Sequence, residues 1–369
     1  MHDLPGTAAP VSPLDWPDPL RLAAGERITE SHQWPARRQE LMQQMLPLAY
    51  GCFPVRPAAT RLQCLHSALL RRHGGARALS CRVEPEAMTP FHLRLTVPPG
   101  LGPFAVIVTG DACWRYADDS ALAAILAHGV ALAEFNRVEI APDPGGPPSG
   151  LLLPQAAAQP ATLAAWAWAY HRVVDVLQSL AWIDPAAITV VGHSRGGKAA
   201  LLAGATDERI SLTSANNSGA GGAASWRWRG PGAETLADLL QAFPHWLGED
   251  MRAYLGRESE LPFDQHCLLA MVAPRALLTT EALDDLWANP QGSWQAHRAA
   301  RCVFELLGVP DRQAIVFRTG GHDHTLADWT CLLEFAAALR AGDTRRAMPT
   351  ADPYPGLPLP GRWMAGAGG

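Results

Sequence analysis

Six hydrophobic runs, spread over the middle and the end of the chain, each stop at a cluster of loop-forming residues. They are FAVIVTGD, GVALAEFNR, ITVVGHS, ISLTSANNSG, RALLTTEALDD and QAIVFRTGGHD. Continuous hydrophobicity of this kind is typical of strands that are buried on both faces. Between them lie stretches with helical spacing, such as ATLAAWAWAYHRVVDVLQSLAW and SWQAHRAARCVFELLG. The alternation predicts a mostly parallel central sheet with helices on both faces.

The rest of the chain fits this pattern less regularly. RITESHQWPARRQELMQQMLPLAYG has the spacing of a helix, and FHLRLTVPPG alternates like a strand in a half-exposed sheet. We expect an irregular segment over residues 1–25, a single α/β domain over 26–345 and a Pro/Gly-rich tail over 346–369. Residues 227–261 do not follow the alternation, and we interpret them as an insertion over the functional site.

The sequence GHSRG contains a serine in the arrangement of a nucleophile elbow. A hydrophobic strand runs directly into it, and a helix rich in small residues follows at once. In such an elbow the flanking glycines, here Gly192 and Gly196, allow the sharp turn that presents the serine hydroxyl. Gly-x-Ser-x-Gly alone occurs often by chance, but the strand and helix around it favour Ser194 as a nucleophile.

Two later strand ends supply the groups that a serine nucleophile needs. In the α/β-hydrolase fold the order along the chain is serine, then acid, then histidine, each following a strand. The strand RALLTT is followed by Asp284 and Asp285, and the strand QAIVFRT by His322 and His324. The residues predict a catalytic triad but leave two candidates for the acid and two for the base.

The composition of the chain indicates which kinds of molecule the protein binds and where it acts. The 369 residues carry a formal net charge of −5, which gives no electrostatic reason to expect a nucleic-acid partner. No apolar run reaches the roughly 18 residues of a membrane span. The seven cysteines include no C-x-x-C pair or metal-ligand spacing, and no export signal is visible at the N-terminus. We therefore expect a cytoplasmic enzyme without metal or cofactor, whose partner is a small-molecule or carbohydrate ester.

Tryptophans stand out in loop-like segments of the chain. An amphipathic indole ring in a loop can line the floor of a binding cleft, although a place in the core is the more common role. The four candidates are Trp226, Trp228, Trp246 and Trp287.

Four segments together resemble the glucuronoyl esterases, carbohydrate esterases that cleave esters between 4-O-methylglucuronic acid on xylan and lignin alcohols. The segments are GHSRGGKAALLAGATDERI, NNSGAGGAASWRW, LPFDQHCLLAMVAPRALL and DLWANP, within roughly residues 100–340. The resemblance implies that Ser194 is the nucleophile and that the Arg195 side chain steadies the oxyanion. It also implies that the substrate is held by three residues: Lys198, Trp287 and, as a weaker candidate, Glu234.

The sequence departs from the fungal pattern of this family at the acid. Fungal members carry a catalytic Glu in a segment like ESGAGG, where this chain has Asn217, whose amide cannot act as an anion. The resemblance then favours Asp285, which keeps the family step to Trp287, and His322, which aligns best with bacterial members. His324 stays open as the alternative base.

The sequence thus predicts a serine carboxylic-ester hydrolase acting on a uronic-acid ester or a related sugar ester. One alternative is a carboxylesterase for acetylated sugars or other small esters. Another is an inactive hydrolase scaffold that only binds. The oligomeric state is not predicted.

Overall fold

The computed structural model describes residues 16–143, 160–343 and 352–364. In this part of the chain nine strands form one sheet, in the order β1-β2-β3-β5-β4-β6-β7-β8-β9. The strands are β1 (Thr60–Leu70), β2 (Ala76–Pro85), β3 (Phe91–Val97), β4 (Phe104–Thr109), β5 (Ala131–Phe135), β6 (Ile183–His193), β7 (Leu212–Asn216), β8 (Ala276–Ala282) and β9 (Gln313–Arg318). The six hydrophobic runs correspond to β4–β9, and FHLRLTV forms β3.

The direction of the strands divides the sheet into two parts. Strands β4–β9 pair in parallel, and β1, β2 and β3 are antiparallel to their neighbours. The helices are α1 (Trp34–Tyr50), α2 (Asp119–Ala127), α3 (Thr162–Gln178), α4 (Arg195–Thr206), α5 (Leu236–Ala242), α6 (Gln265–Ala270), α7 (Pro290–Leu306) and α8 (Leu326–Ala341).

Alternate side chains of the central strands enter two separate cores. Val106 and Val108 of β4 pack into a large core with α3, α4 and α7, whereas Ile107 packs with α2 and α8 on the other face. Both faces of the parallel strands are therefore covered, which explains their continuous hydrophobicity. The prediction of a mostly parallel sheet between two helical layers is confirmed.

The hairpin of β1 and β2 was not anticipated from the sequence. β1 lies at the edge of the sheet, and most of its residues are exposed on both sides. A strand exposed on both faces needs no hydrophobic alternation, so its sequence carries no periodic signal.

The two ends of the described chain meet beside the buried His266. The indole nitrogen of Trp363 donates a hydrogen bond to the carbonyl of Trp16 at 3.1 Å, and both rings lie beside His266. Parts of the predicted end segments, residues 1–15, 346–351 and 365–369, fall outside the described residues. The division into an N-terminal segment, a domain, an insertion and a tail stays a prediction.

Within the described ranges, no helix is both long and apolar enough to cross a membrane.

Candidate active site

Ser194 occupies a strained turn between β6 and α4. Its backbone has φ 55° and ψ −124°, and its N–H donates to the carbonyl of Asn216 at 2.9 Å. The neighbouring glycines are sterically required. A Cβ on Gly192 would lie 2.2 Å from the backbone of Gly196, and one on Gly196 would lie 1.9 Å from the Asp111 carboxylate. Such a turn holds the serine at the N-terminal end of α4, as a nucleophile elbow does.

A buried ion pair between Asp111 and Arg137 holds the strand end that precedes Ser194. Asp111, which follows β4, accepts a hydrogen bond from the His193 backbone N–H at 2.7 Å and pairs with the Arg137 guanidinium. The backbone N–H is oriented by a charged acceptor, and such a bond is stronger than one between neutral groups. The position of the residue before Ser194 is thus fixed from a neighbouring strand.

His322 and Asp285 meet at the same end of the sheet. The Nδ1 atom of His322 lies 2.5 Å from Oδ2 of Asp285, whose side chain is buried while the imidazole is partly exposed. The His322 ring also contacts the ring of His193, with centroids 4.6 Å apart, which places it beside the elbow. In the described part of the chain Ser194 Oγ makes no hydrogen bond to His322. Such catalytic bonds often tighten only when substrate binds.

The two alternative residues have other surroundings. Asp284 accepts a hydrogen bond from the Gly320 N–H at 2.8 Å and shapes the loop after β9. His324 is buried and stacks on Trp329, with ring centroids 4.5 Å apart. Burial lowers the pKa of His324 to about 3, so its ring is neutral near pH 7. The structure brings Asp285 and His322 together and places Asp284 and His324 in the surrounding loops.

Asn217 connects three segments of the site. Its Oδ1 accepts from the Ala282 N–H at 2.7 Å, at the end of β8, and its Nδ2 donates to the carbonyl of Asp323 at 3.0 Å. The side chain is buried and the backbone has a positive φ of 44°. Asn217 therefore ties the strand that precedes Asp285 to the loop that carries His322.

Lys198 and Glu234 form a buried ion pair one turn into α4. Nζ of Lys198 lies 2.9 Å from Oε2 of Glu234 and also donates to the carbonyl of Ala220. The backbone N–H of Glu234 donates to the carbonyl of Trp287 at 2.9 Å, which brings the third predicted substrate residue to the same place. The Trp287 ring is 53% exposed. A buried pair of opposite charges joined through the backbone to an exposed tryptophan suits the hydroxyls and the apolar face of a sugar.

The Arg195 side chain is held by an acid and two aromatic rings. Its guanidinium lies 2.6 Å from Oδ2 of Asp143, and its central carbon lies 4.9 Å from the ring centroids of Phe243 and Trp246. Phe243 and Trp246 stack with centroids 3.8 Å apart. Sequence reasoning identified Trp246 as a candidate for a cleft floor but missed Asp143 and Phe243. These two lie 52 and 48 positions from Arg195, and no motif or spacing connects them.

The other loop tryptophans are part of the packing. Trp226 is buried and its indole N–H donates to Gln265 at 3.1 Å, while Trp228 packs against the large core. For these two residues the more common role, packing, is the observed one.

Glu281 is a fully buried acid on β8, four residues before Asp285. Neither carboxyl oxygen accepts a well-formed hydrogen bond from a described residue, although the Ser293 hydroxyl lies beside them. Burial raises the pKa of Glu281 well above its ordinary value, and the charge of Asp285 adds to the effect. Both effects favour the protonated, neutral form of this carboxyl group.

Among the described residues no group of three or more His, Cys, Asp and Glu side chains could hold a metal ion. The expectation that no metal or cofactor takes part stays a prediction.

Two comparisons with known proteins decide the family. A family model described as "Glucuronyl esterase, fungi" matches residues 83–308. Carbohydrate esterase MZ0003, from an unknown prokaryotic organism, is 30% identical to the chain over 87% of its length and 88% of the relative. The chain belongs to the glucuronoyl esterase family.

Other glucuronoyl esterases support this assignment. The 4-O-methyl-glucuronoyl methylesterase of Podospora anserina is 30% identical over 83% of the chain and 63% of the relative. The solved structure of a family 15 glucuronoyl esterase from Caldicellulosiruptor kristjansonii has a TM-score of 0.78 and 28% identity, over 92% of this chain and 95% of that one. The predictions of the family, of an α/β-hydrolase fold and of a carboxylic ester hydrolase are confirmed.

Proposed function

We propose that this glucuronoyl esterase family member hydrolyses esters of glucuronic acid through an acyl-enzyme on Ser194. The observation that carries the proposal is the 2.5 Å contact between Asp285 and His322 at the end of the sheet that bears the elbow. The family supports the acid part of the ester, because relatives are named 4-O-methyl-glucuronoyl methylesterases.

His322 is the general base in this mechanism. Its Nδ1 is held by Asp285, so Nε2 is the nitrogen that accepts the proton from Ser194 Oγ as the serine attacks the ester carbonyl. Asp285 stabilises the imidazolium that forms. The imidazolium gives the proton to the departing alcohol. In the second half-reaction His322 takes a proton from a water molecule, whose oxygen attacks the acyl carbonyl; the bond to Oγ breaks, the acid leaves, and the proton returns to Ser194 Oγ.

Arg195 stabilises the negative charge on the carbonyl oxygen. Its backbone N–H is the first of α4, at the positive end of the helix dipole, and its guanidinium adds further donors. Stabilisation of the tetrahedral intermediate by such fixed donors is the largest contribution in most acyl-transfer enzymes.

Lys198, Glu234 and Trp287 bind the sugar acid. The Lys198–Glu234 pair offers an ammonium donor and a carboxylate acceptor to vicinal hydroxyls, and Trp287 offers its ring face to the pyranose. This arrangement favours a sugar carboxylate over a simple acetyl group, which has no hydroxyls to recognise.

Hydrolysis of benzyl glucuronate at neutral pH tests the proposal. We expect the wild type to cleave this ester and Ser194→Ala to lose at least about 10⁴-fold in kcat, the usual cost of removing a serine nucleophile. The measurement is release of benzyl alcohol, with circular dichroism to show that the variant is folded.

Two other substrates and a serine-reactive probe can contradict the proposed function. Cleavage of an acetylated sugar or of p-nitrophenyl acetate through Ser194, with benzyl glucuronate untouched, would contradict the uronate part of the proposal and favour the small-ester alternative. Absence of labelling of Ser194 by a fluorophosphonate would favour a scaffold that only binds.

We also propose a cytoplasmic location, which the state of the cysteines supports. All seven lie in the described residues and none forms a disulfide, as is usual in reducing compartments. The absence of a nucleic-acid partner stays a prediction.

A further inference from the structure

We propose that Asp143 and Trp246 are positioning residues that hold the Arg195 guanidinium in place for the oxyanion. This inference rests on the proposed role of Arg195 in ester hydrolysis and adds two residues that act through it. Asp143 follows β5, and Trp246 lies within residues 227–261, so two separate segments meet on one side chain.

The Arg195 side chain needs external support. It belongs to the first residue of α4 and about a third of it is exposed. A free arginine side chain samples many rotamers, and ordering it costs conformational entropy. A donor that has to be ordered during the reaction contributes less than one that is fixed in advance.

Asp143 supplies the charged part of this support. Its Oδ2 lies 2.6 Å from NH1 of Arg195, and its other oxygen, Oδ1, accepts the Trp246 indole N–H at 3.0 Å. With both oxygens engaged, the carboxylate cannot rotate freely, and its side chain is only 16% exposed. An ion pair in this setting is screened less by water than one on the open surface. Among the described residues only NH1 of the guanidinium makes a hydrogen bond, which leaves its other N–H groups for a substrate oxygen.

Trp246 and Phe243 supply the apolar part. The central carbon of the guanidinium lies 4.9 Å from the centroids of both rings, and because the rings stack on each other it packs beside the stacked pair. The Trp246 ring is buried, and its centroid is 5.9 Å from Nζ of Lys198. Its edge packs on Trp166 of α3. A ring fixed by the core thus lies close to both cations of α4, one assigned to the oxyanion and the other to the sugar.

Loss of Asp143 is expected to affect the transition state of the reaction and not the binding of the substrate. If Asp143 acts only by fixing Arg195, its loss weakens the interaction with the developing oxyanion and leaves ground-state binding of the ester nearly unchanged. Such a defect lowers kcat and leaves KM nearly constant.

A double-mutant cycle on Asp143 and Arg195 tests this assignment. We expect Asp143→Asn to lower kcat by about 10- to 100-fold with KM changed less than about 3-fold. In an Arg195→Ala background the same substitution is expected to change kcat less than about 2-fold, because the residue through which it acts is gone. Asp143→Glu, which keeps the charge, is expected to restore part of the rate.

Trp246→Phe is the milder companion variant. It keeps an aromatic ring beside the guanidinium and removes the N–H that holds Oδ1 of Asp143, so we expect a loss in kcat of about 3- to 10-fold. Asp119→Asn, an exposed acid on α2, is the matched control and is expected to leave the kinetics unchanged. Thermal unfolding of each variant shows whether it is folded.

The cycle is measured on benzyl glucuronate, on p-nitrophenyl acetate and as the rate of Ser194 labelling by a fluorophosphonate. The failure of the two proposals can therefore be distinguished. Activity on p-nitrophenyl acetate alone contradicts the proposed uronate substrate, and the cycle still reports on Asp143. Equal effects of Asp143→Asn with and without Arg195, or an unchanged kcat, overturn the positioning role. A serine inert to all three probes contradicts both proposals.

Discussion

His322 and His324 lie two residues apart in the sequence but have opposite surroundings. His322 is partly exposed and hydrogen-bonded to Asp285. His324 is buried against Trp329, and burial lowers its pKa to about 3. The sequence narrowed the base to these two residues and the acid to Asp284 or Asp285. It could not separate the members of each pair by spacing alone, because the loop conformation decides which side chain points to the elbow.

Substitution of the two histidines separates their roles. We expect His322→Ala to lower kcat by at least about 10³-fold, since the serine loses its base. His324→Phe keeps a flat ring on Trp329 and is expected to retain kcat within about 5-fold, because a neutral buried ring moves no proton. The measurement is kcat and kcat/KM between pH 5 and 9 for both variants.

The fall of kcat/KM on the acid side of the pH profile shows which histidine is the base. It should be preserved in His324→Phe, because His324 does not titrate in that range. Loss of this fall or of activity in His324→Phe, with activity kept in His322→Ala, would identify His324 as the base.

At the scale of elements, the carboxyl ends of β6, β7, β8 and β9 carry the site. The sequence predicted these strands because both of their faces are buried, and it predicted that chemistry follows each of them. It did not predict the β1–β2 hairpin, which is exposed at the sheet edge, nor the contact of Asp143 with Arg195. Contacts between distant segments leave no local pattern, so only the fold reveals them.

Asn217 links two of these strand ends, and its removal tests that link. In Asn217→Ala the buried Ala282 N–H loses its acceptor, at a cost of about 1–3 kcal/mol, and the Asp323 carbonyl keeps its hydrogen bond from the Arg318 guanidinium. We expect a lower free energy of unfolding in urea and a lower kcat, because the strand before Asp285 and the loop of His322 are no longer tied together.

Asn217→Asp is the comparison that separates the two bonds. It keeps the acceptor for Ala282 and replaces the donor to Asp323 by an oxygen. An intermediate effect on unfolding is expected. Unchanged unfolding and kcat in Asn217→Ala would show that the link is dispensable.

For the whole molecule, buried titratable groups determine how stability depends on pH. Burial lowers the pKa of His171 to about 4 and those of His297 and His324 to about 3. In the unfolded chain these groups bind protons below about pH 6.5. Between pH 6.5 and the lowered pKa of each histidine, the unfolded state binds more protons than the folded state. The free energy of unfolding therefore falls as the pH falls through this range. Glu281 acts in the opposite sense, because the folded state keeps a proton that the unfolded state releases above about pH 4.3.

The slope of stability against pH can be measured by urea unfolding between pH 6.0 and 4.5. Each buried histidine contributes about 1.4 kcal/mol per pH unit to this slope. We expect His297→Phe, which keeps the stack on Trp294, to reduce the slope by about that amount.

Replacement of the exposed His66 by Phe is the control and is expected to leave the slope unchanged. Parallel curves for the wild type and His297→Phe would mean that His297 is not held neutral in the folded protein.

The contact between Trp363 and Trp16 makes the described chain nearly a closed ring. A linker from Met364 to Trp16, in place of the residues beyond them, would join two segments that already touch. The polypeptide could then be opened elsewhere without separating the strand ends around Ser194. The turn at Gly74 and Gly75 is a suitable opening, because both glycines face open space at the far edge of the sheet. The order in which the segments are synthesised could thus be changed while the catalytic end of the sheet stays intact.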